Sequence, residues 1–211
     1  MTGSESTQRG AASDRRGLIL AIVVALIAAV QLGHLLIWSP EAIASSALFR
    51  DDSYFFSLMA RNFHQSGVLT LDGVMASNGV QPLWMALQIG LVTLLPGVHE
   101  VRLLAVSTWA AYVAFAFLAT WLVATLRPSR AGLAVTIFAA TVVLTGRFQR
   151  TAAWGLETPI FLVCLVVALL LVRRSGRRVA GGDTLPWWEV GGLGLVSALC
   201  FFGRTDFFWL A

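Results

Sequence analysis

Long uninterrupted apolar runs limit what this chain can fold into more than any other feature of its sequence. Three of them, at 17–38, 101–126 and 189–211, each contain more than twenty residues. With a rise of ~1.5 Å per residue, a helix of that length crosses the ~30 Å hydrocarbon core of a bilayer. Charged residues form only 12% of the chain, about half of what a soluble domain needs for its surface. The sequence therefore predicts an all-α membrane protein.

The distribution of arginine predicts an orientation in the membrane. Every basic residue is arginine, which is typical of a GC-rich bacterial genome, and most arginines lie in short clusters between the apolar runs: Arg15/Arg16, Arg127/Arg130 and Arg173–Arg178. Such clusters mark the cytoplasmic side of a membrane protein. The net charge of +4 therefore does not indicate a nucleic-acid partner. We expect a multi-pass protein of the bacterial inner membrane with a cytoplasmic N-terminus.

The apolar segment at 82–96 is predicted not to cross the membrane. Counting it as a span would turn the cluster at 173–178 outward, against the positive-inside rule. The segment is also short, contains Gln88 and has a proline at each end. A segment of this length is typical of an interfacial or re-entrant helix.

The predicted organisation is a polytopic transmembrane helix bundle with one large outside loop. The sequence ends within the last apolar run, so we expect it to be the N-terminal part of a longer protein. The predicted segments are a disordered cytoplasmic tail at 1–16, a span at 17–38, the outside loop at 39–100 with helices at about 53–64 and 82–96, and spans at about 101–126, 131–146, 159–172 and 187–211.

Two adjacent carboxylates, Asp51 and Asp52, begin the first helix of the outside loop. One interpretation is structural: Asp52 or Ser53 caps this helix, and Asp51 stabilises its positive end. Helix capping explains the presence of one aspartate well, but it explains a second adjacent aspartate less well. A carboxylate at this place could equally act as a general base, and both interpretations stay open.

Two further places carry candidate residues. Thr158 is a good N-cap and Pro159 suits the first helical position, which leaves Glu157 unexplained on the same predicted side as the aspartates. Glu157 could complete an acidic site. Arg204 and Asp206 lie deep in the last apolar run. They could form a self-neutralising pair within the helix, serve as an interfacial anchor, or be functional residues of a span.

Four motifs resemble those of the polytopic GT-C glycosyltransferases. The first is D-D-S-Y-F at 51–55 followed by A-R-N at 60–62, which is similar to D-D-x-Y-[YF] and A-R-N in that family. The others are D-G at 72–73 with S-N-G-V-Q-P-L-W at 77–84, G-L-E-T at 155–158 and G-R-T-D at 203–206. Together they cover most of 50–208, with Gln81 in place of a common histidine. The family includes aminoarabinose and protein mannosyltransferases and the catalytic subunit of oligosaccharyltransferase.

The resemblance implies transfer of a sugar from a polyprenyl-phosphate donor, on the outer face of the bilayer, to a glycan, lipid or protein acceptor. It implies that Asp52, nine residues before the helix arginine, is the catalytic carboxylate, with Asp51 beside it. Asp52 and Glu157 could share a divalent cation, Mg²⁺ or Mn²⁺, or the reaction could proceed without one. The residues expected to bind substrate are Arg61, Asn78, Gln81, Glu157, Arg204 and Asp206.

Two other functional classes fit parts of the sequence. A polytopic transporter would suit Arg204 and Asp206 inside a span, although the chain shows no internal repeat. A non-catalytic flippase or assembly subunit of cell-envelope glycan synthesis would keep the same motifs without the chemistry. Sugar transfer that depends on Asp52 would separate the enzyme from both.

Overall fold

The structure is a computed structural model that describes residues 3–46, 49–77, 81–126, 131–143, 145, 150–151, 154 and 157–203, with side chains from Arg15 onward. Within these ranges the regular structure is helical, apart from an isolated bridge between Thr70 and Ala76. The all-α prediction is confirmed for this part of the chain. The helices are α1 (Gly3–Gln31), α2 (His34–Ile37), α3 (Pro40–Ser45), α4 (Asp51–Ser66), α5 (Pro82–Leu94), α6 (Glu100–Leu126), α7 (Ala131–Phe138, continued by a π-helix at Ala139–Val143), α8 (Thr158–Ala180) and α9 (Trp187–Gly203).

Helix α1 begins at Gly3, so the disordered tail predicted for 1–16 is wrong in the part that the structure describes. The physical reason is that each residue added to an existing helix closes one more backbone hydrogen bond, whereas only the first turn is costly. The predicted span at 17–38 is divided, because a turn at Leu32 and Gly33 separates α1 from α2.

Helix α6 is the centre of the packing and lies antiparallel to α1. At one end Gly17 lies so close to Ala124 that a Cβ on the glycine would be 3.3 Å from the alanine Cβ. Further along, the indole Nε1 of Trp109 donates a 3.0 Å hydrogen bond to the carbonyl of Ala29. The C-terminal end of α1 and the N-terminal end of α6 therefore lie together.

Helix α8 runs antiparallel to both α6 and α9. Near its C-terminal end, Arg173 donates a 2.6 Å hydrogen bond to Oγ1 of Thr125 and a second bond to the carbonyl of the same residue. Arg174 and Arg178 contact the carboxylate of Glu189 in the first turn of α9 through Nε at 3.1 and 3.2 Å. The ends of α6 and α8 thus lie with the beginnings of α1 and α9.

These pairings give the helices two opposite ends. We call one the arginine end, defined by Arg15, Arg173, Arg174, Arg177 and Arg178. We call the other the aspartate end, defined by Asp51 and Asp52 at the start of α4 and Glu157 before α8. The two ends are separated by the length of α6 and α8.

Several helix bounds differ from the prediction. Helix α8 continues to Ala180, so the basic cluster at 173–178 is helical and not a loop, because four arginines are good helix formers. Helix α7 changes to a π-helix at Ala139. Within the described ranges, the helices long and apolar enough to cross a membrane are α6, with 27 residues, and α8, with 23.

Helix α5 is fixed to α6 by a buried polar contact. Nε2 of Gln88 donates a 2.9 Å hydrogen bond to Oγ of Ser107, whose hydroxyl donates to the carbonyl of Leu104 at 2.9 Å. Gln88 is only 1% exposed. Buried amides are stable when they are hydrogen-bonded, so this contact sets how α5 sits on α6.

Candidate functional site

The helix that carries the two aspartates begins two residues earlier than predicted. Arg50 occupies the N-cap position in an extended conformation, without a side-chain capping bond. The predicted capping by Asp52 or Ser53 is therefore wrong. The Ser53 hydroxyl instead donates back to the carbonyl of Arg50, as serine hydroxyls do within a helical turn.

Asp51 and Asp52 lie in the first turn of α4 and are exposed. In the part of the chain that the structure describes, neither carboxylate has a hydrogen-bond or ion-pair partner. Free backbone N–H groups and the helix dipole stabilise negative charge at this position. The pKa of the neighbouring Tyr54 is raised, first by burial and then by the charge of Asp51. Both carboxylates are open to a ligand.

A contact of Arg50 joins the aspartates to the segment before α8. The backbone N–H of Arg50 donates a 3.3 Å hydrogen bond to the carbonyl of Trp154. The guanidinium carbon of Arg50 lies 4.0 Å from the centre of the Trp154 ring, a cation–π geometry. Since Trp154 precedes Glu157 by three residues, two of the predicted motif regions meet at one end of the helices.

Glu157 is 5% exposed and occupies the N-cap position of α8, without a side-chain capping bond. Thr158 is the first helical residue and Pro159 the second. The predicted cap at Thr158 is therefore wrong by one residue, because the fixed φ of proline suits any position in the first turn. Burial of a carboxylate is unfavourable unless its polar atoms are satisfied, so this residue is not a passive surface glutamate.

The A-R-N motif makes contacts within the protein. Nη1 of Arg61 lies 2.7 Å from Oε1 of Glu100 and so links α4 to the first turn of α6. Nδ2 of Asn62 donates to the carbonyls of Thr70 and Leu71 at 2.9 and 3.3 Å. These contacts hold α4 on α6 and hold the following loop on α4.

The D-G motif forms a tight turn. Oδ1 of Asp72 accepts hydrogen bonds from Oγ1 of Thr70 at 3.0 Å and from the backbone N–H groups of Val74 and Met75 at 2.9 Å each. Gly73 adopts a φ of 80°, which a side chain would strain. The N–H groups of Met75 and Val74, in that order, hold the pKa of Asp72 below its ordinary value. The aspartate of this motif has a structural role.

The remaining predicted site residues are distributed as follows. Gln81 is partly buried at the N-cap position of α5 and makes no side-chain capping bond. Asn78, Arg204 and Asp206 lie outside the described residues. Helix α9, which ends immediately before Arg204, contacts α5.

The donor set for a metal is small. Among the described residues, no group of three or more His, Cys, Asp and Glu side chains is arranged to hold a metal ion. Mg²⁺ requires about six oxygen ligands in octahedral geometry, and the sharing of a divalent cation by Asp52 and Glu157 stays a prediction.

An apolar groove of about 350 Å³ lies between α5, α6 and α8. It extends from the start of α6 and α8, on the side of the aspartate end, toward the middle of both helices. Its walls are almost entirely hydrocarbon, so its chemistry suits an alkyl or isoprenoid chain. Its lining residues are Leu87, Leu91, Leu95, Leu103, Val106, Ser107, Ala110, Ala111, Ala114, Ile160 and Val163.

Comparison of the chain with protein-family models, with curated proteins and with solved structures finds no match. Sequence reasoning missed the contact of Arg50 with Trp154 and the pairing of Arg61 with Glu100. The sequence offers only weak indications of these two contacts. Trp154 directly precedes the G-L-E-T motif, and Glu100 is the one carboxylate between the apolar segments at 82–96 and 101–126.

Proposed function

We propose that this chain is a membrane glycosyltransferase of the GT-C type. In this proposal it lies in the bacterial inner membrane with the aspartate end outside, and it transfers a sugar from a polyprenyl-phosphate donor to a glycan, lipid or protein acceptor. The observation that carries the proposal is the contact of Arg50 with Trp154. It brings an exposed carboxylate pair beside the segment that leads to Glu157, at the end opposite the arginine cluster.

The surface of the helices supports a multi-pass arrangement. Besides α6 and α8, helix α1 turns a row of large aliphatic side chains away from the protein. Helix α9 also exposes large apolar side chains, such as Leu195 and Phe202. It begins with Trp187 and Trp188, a pair typical of a membrane interface. Such surfaces are unfavourable in water and favourable in hydrocarbon. The exposed side chains of α1 are Leu18, Ile19, Ile22, Val23, Leu26, Ile27 and Val30.

The position of α5 supports the interfacial placement predicted for 82–96. The chain leaves α1 and enters α6 at the same end, so the segment between them makes no net crossing. Helix α5 has 13 residues and spans ~20 Å at ~1.5 Å per residue, less than the ~30 Å of a bilayer core.

The proposed reaction is a direct displacement at the anomeric carbon. Asp52 accepts the proton of an acceptor hydroxyl while that oxygen forms a bond to the anomeric carbon of the donor. The bond from this carbon to the phosphate oxygen breaks, and the polyprenyl phosphate leaves with the bonding electrons. Arg204 stabilises the negative charge of the leaving phosphate, and the apolar groove receives the first isoprene units of the lipid.

The other predicted residues have supporting roles in this proposal. In this proposal Glu157 and Gln81 hold hydroxyl groups of the donor headgroup. Glu157 follows Trp154, which contacts Arg50 beside the aspartates, and Gln81 stands at the N-cap position of α5. Asn78 and Asp206 are assigned to the same headgroup by the motifs alone. Arg61 acts indirectly, because its ion pair with Glu100 positions α4.

The experiment that tests the proposal replaces Asp52 by Asn. We expect sugar transfer to fall at least ~100-fold, because an amide cannot accept the proton. The assay uses membrane vesicles, which contain native acceptors, and a panel of polyprenyl-phosphate sugars labelled in the sugar. Thermal unfolding should change little, since the Asp52 side chain has no hydrogen-bond or ion-pair partner among the described residues and the helix dipole contributes only ~0.3–1 kcal/mol.

Asp51→Asn is the matched control, with the same chemical change one residue earlier on the same helical turn. We expect a smaller loss of transfer, because Asp51 contributes charge and not the proton acceptor. Normal transfer in Asp52→Asn together with strong loss in Asp51→Asn would move the catalytic role to Asp51. Normal transfer in both variants would contradict the proposal and favour a transporter or a non-catalytic subunit.

A further inference from the structure

A cavity of about 740 Å³ opens at the arginine end between α1, α6 and α8. Its volume lies within the ~300–1,000 Å³ typical of small-molecule sites. It is remote from the aspartate end, and the proposed transfer reaction does not use it. Its lining residues are Arg15, Leu18, Trp121, Thr125, Leu170, Leu171, Arg173, Arg174, Arg177 and Arg178.

Positive charge around this cavity is only partly neutralised. Five arginines line it, and two of them, Arg174 and Arg178, contact the carboxylate of Glu189. That carboxylate is shared by Arg174 and Arg178, although each guanidinium carries five N–H donors. Arg15 and Arg177 have no partner among the side chains that the structure describes. The cavity therefore carries a surplus of hydrogen-bond donors and of positive charge.

The walls of the cavity are apolar. Leu18 of α1, Trp121 of α6 and the leucine pair Leu170 and Leu171 of α8 line the side that leads toward the middle of the helices. A soluble anion would need only the guanidinium groups. A cationic rim above a hydrocarbon wall matches a molecule with an anionic head and an alkyl chain.

Tryptophan contacts indicate the level at which this rim lies. The guanidinium carbons of Arg174 and Arg178 lie 5.4 and 6.0 Å from the ring centre of Trp188, within or at the limit of cation–π distance. Trp187 beside it is 85% exposed. Tryptophan and arginine side chains occur together at the headgroup level of a bilayer, which is where a phospholipid presents its phosphate.

We propose that the cavity at the arginine end binds one anionic phospholipid of the cytoplasmic leaflet. Its phosphate contacts Arg15, Arg177 and the free donors of Arg174, and an acyl chain lies along Trp121 and the leucine pair. Basic pockets between transmembrane helices on the cytoplasmic side are suited to such lipids. The inference rests on the membrane placement proposed above and not on the transfer reaction.

The test measures binding of phosphatidylglycerol to the purified full chain in neutral detergent micelles by native mass spectrometry. We expect one tightly bound lipid per chain. Arg15→Gln and Arg177→Gln should each weaken binding about 5-fold, and the double variant about 25-fold, since one basic residue near an anionic headgroup contributes ~1 kcal/mol. Neither arginine has a partner among the described side chains, so the variants should fold normally.

Arg16→Gln is the matched control, because Arg16 is the neighbour of Arg15, is exposed, and does not line the cavity. It should bind phosphatidylglycerol as the unaltered chain does. An equal loss in Arg16→Gln would show attraction to a charged surface and would overturn the proposal. Unchanged binding in the Arg15 and Arg177 variants would overturn it as well.

Two competing ligands separate the sources of the phosphate group. Phosphatidylcholine with the same acyl chains should bind far more weakly, and inorganic phosphate at the same concentration should not displace the lipid. Equal binding of phosphatidylcholine, or displacement by phosphate, would contradict an anionic-lipid site.

A second measurement locates the lipid. Phosphatidylglycerol with brominated acyl chains should quench part of the tryptophan fluorescence, and Trp121→Phe should remove that part; quenching that persists unchanged would place the lipid elsewhere. Recovery of the chain in the soluble fraction without detergent would instead contradict the membrane placement. Failure of the lipid-site proposal and failure of the membrane placement would therefore give different results.

Discussion

The two ends of this protein differ in which charges find a partner inside the fold. At the aspartate end the cations are engaged: Arg50 lies over Trp154, and Arg61 pairs with Glu100, while Asp51 and Asp52 have no such partner among the described residues. At the arginine end the anion is engaged, because Glu189 is 1% exposed and lies against two arginines. Arg15 and Arg177 at this end have no side-chain partner among the described residues.

This difference indicates which kind of ligand or chemistry each end suits. A charge that the fold neutralises internally contributes to packing, whereas a charge left open can bind a ligand of opposite sign or accept a proton. The aspartate end offers proton acceptors, as a transfer reaction requires. The arginine end offers donors to phosphate, and in the proposed orientation it lies on the cytoplasmic side of the membrane.

The aspartate end and the arginine end can have these separate functions only if they lie on opposite sides of a membrane. We would replace His99 and Asp183 singly by Cys, in a background without Cys164 and Cys200, and treat spheroplasts with an impermeant thiol reagent. Both positions are exposed, at the aspartate and the arginine end respectively. We expect complete labelling at 99 and labelling at 183 only after permeabilisation. The reverse pattern would invert the orientation, and labelling at both would remove the membrane between them.

Arg102 offers the next largest effect, because it joins α6 to α2 and to the C-cap residue of α2, at the aspartate end. Its Nη1 and Nη2 donate 2.9 Å hydrogen bonds to the carbonyls of Leu36 and Trp38. Arg102→Gln should lower the free energy of unfolding by about 2–4 kcal/mol, the loss of two charge-assisted hydrogen bonds. Denaturation in mixed micelles would measure it.

Arg61→Gln is the control for that variant, at the same end and with the same chemical change. Its ion pair with Glu100 is 43% exposed on the arginine side, and exposed pairs contribute only ~0.2–1 kcal/mol. Equal destabilisation by the two variants would contradict the assignment of Arg102 as the main polar link between α6 and α2.

The next variant changes Glu189, at the arginine end. Its carboxylate contacts Arg174 and Arg178 and accepts a 3.3 Å hydrogen bond from Ser175. Glu189→Gln keeps the shape and removes the charge, so it should destabilise the chain by about 1–3 kcal/mol. The exposed Asp183→Asn should change stability by less than ~0.5 kcal/mol. Unchanged stability in Glu189→Gln would show that the arginines do not depend on this carboxylate.

The smallest effect concerns the turn at Asp72 and its response to pH. The pKa of Asp72 is lowered in the folded chain, first by the N–H groups of Met75 and Val74. A carboxylate with a lowered pKa stabilises the fold above its unfolded pKa, and that contribution is lost as the pH falls through the folded value. Protection of the Val74 and Met75 amides, measured as hydrogen exchange relative to the intrinsic rate at each pH, should therefore fall below pH ~4, and much less so in Asp72→Asn. Unchanged protection at pH 3 would contradict this role.

Much of the helical content follows from the sequence. The length of the apolar run at 101–126 predicts α6, and the proline at 82 predicts the start of α5, because its fixed φ suits a first helical position. The helix starts beside Asp51 and Thr158 are displaced by one or two residues. Several residues in each stretch can serve as a cap, and backbone contacts such as that of Arg50 with Trp154 decide among them.

The helical character of the chain and the places where its charges cluster follow from the amino-acid sequence alone. Which charges are engaged depends on how the helices pack, as in the pairs Arg61 with Glu100 and Arg174 with Glu189. The physical reason is that a helix signals its buried face through a polar face turned to water. Helices such as α6 are apolar all round, as the proposed membrane placement requires, because lipid hydrocarbon is as apolar as a protein interior. Their partners are chosen by side-chain packing and by a few hydrogen bonds between residues distant in the chain.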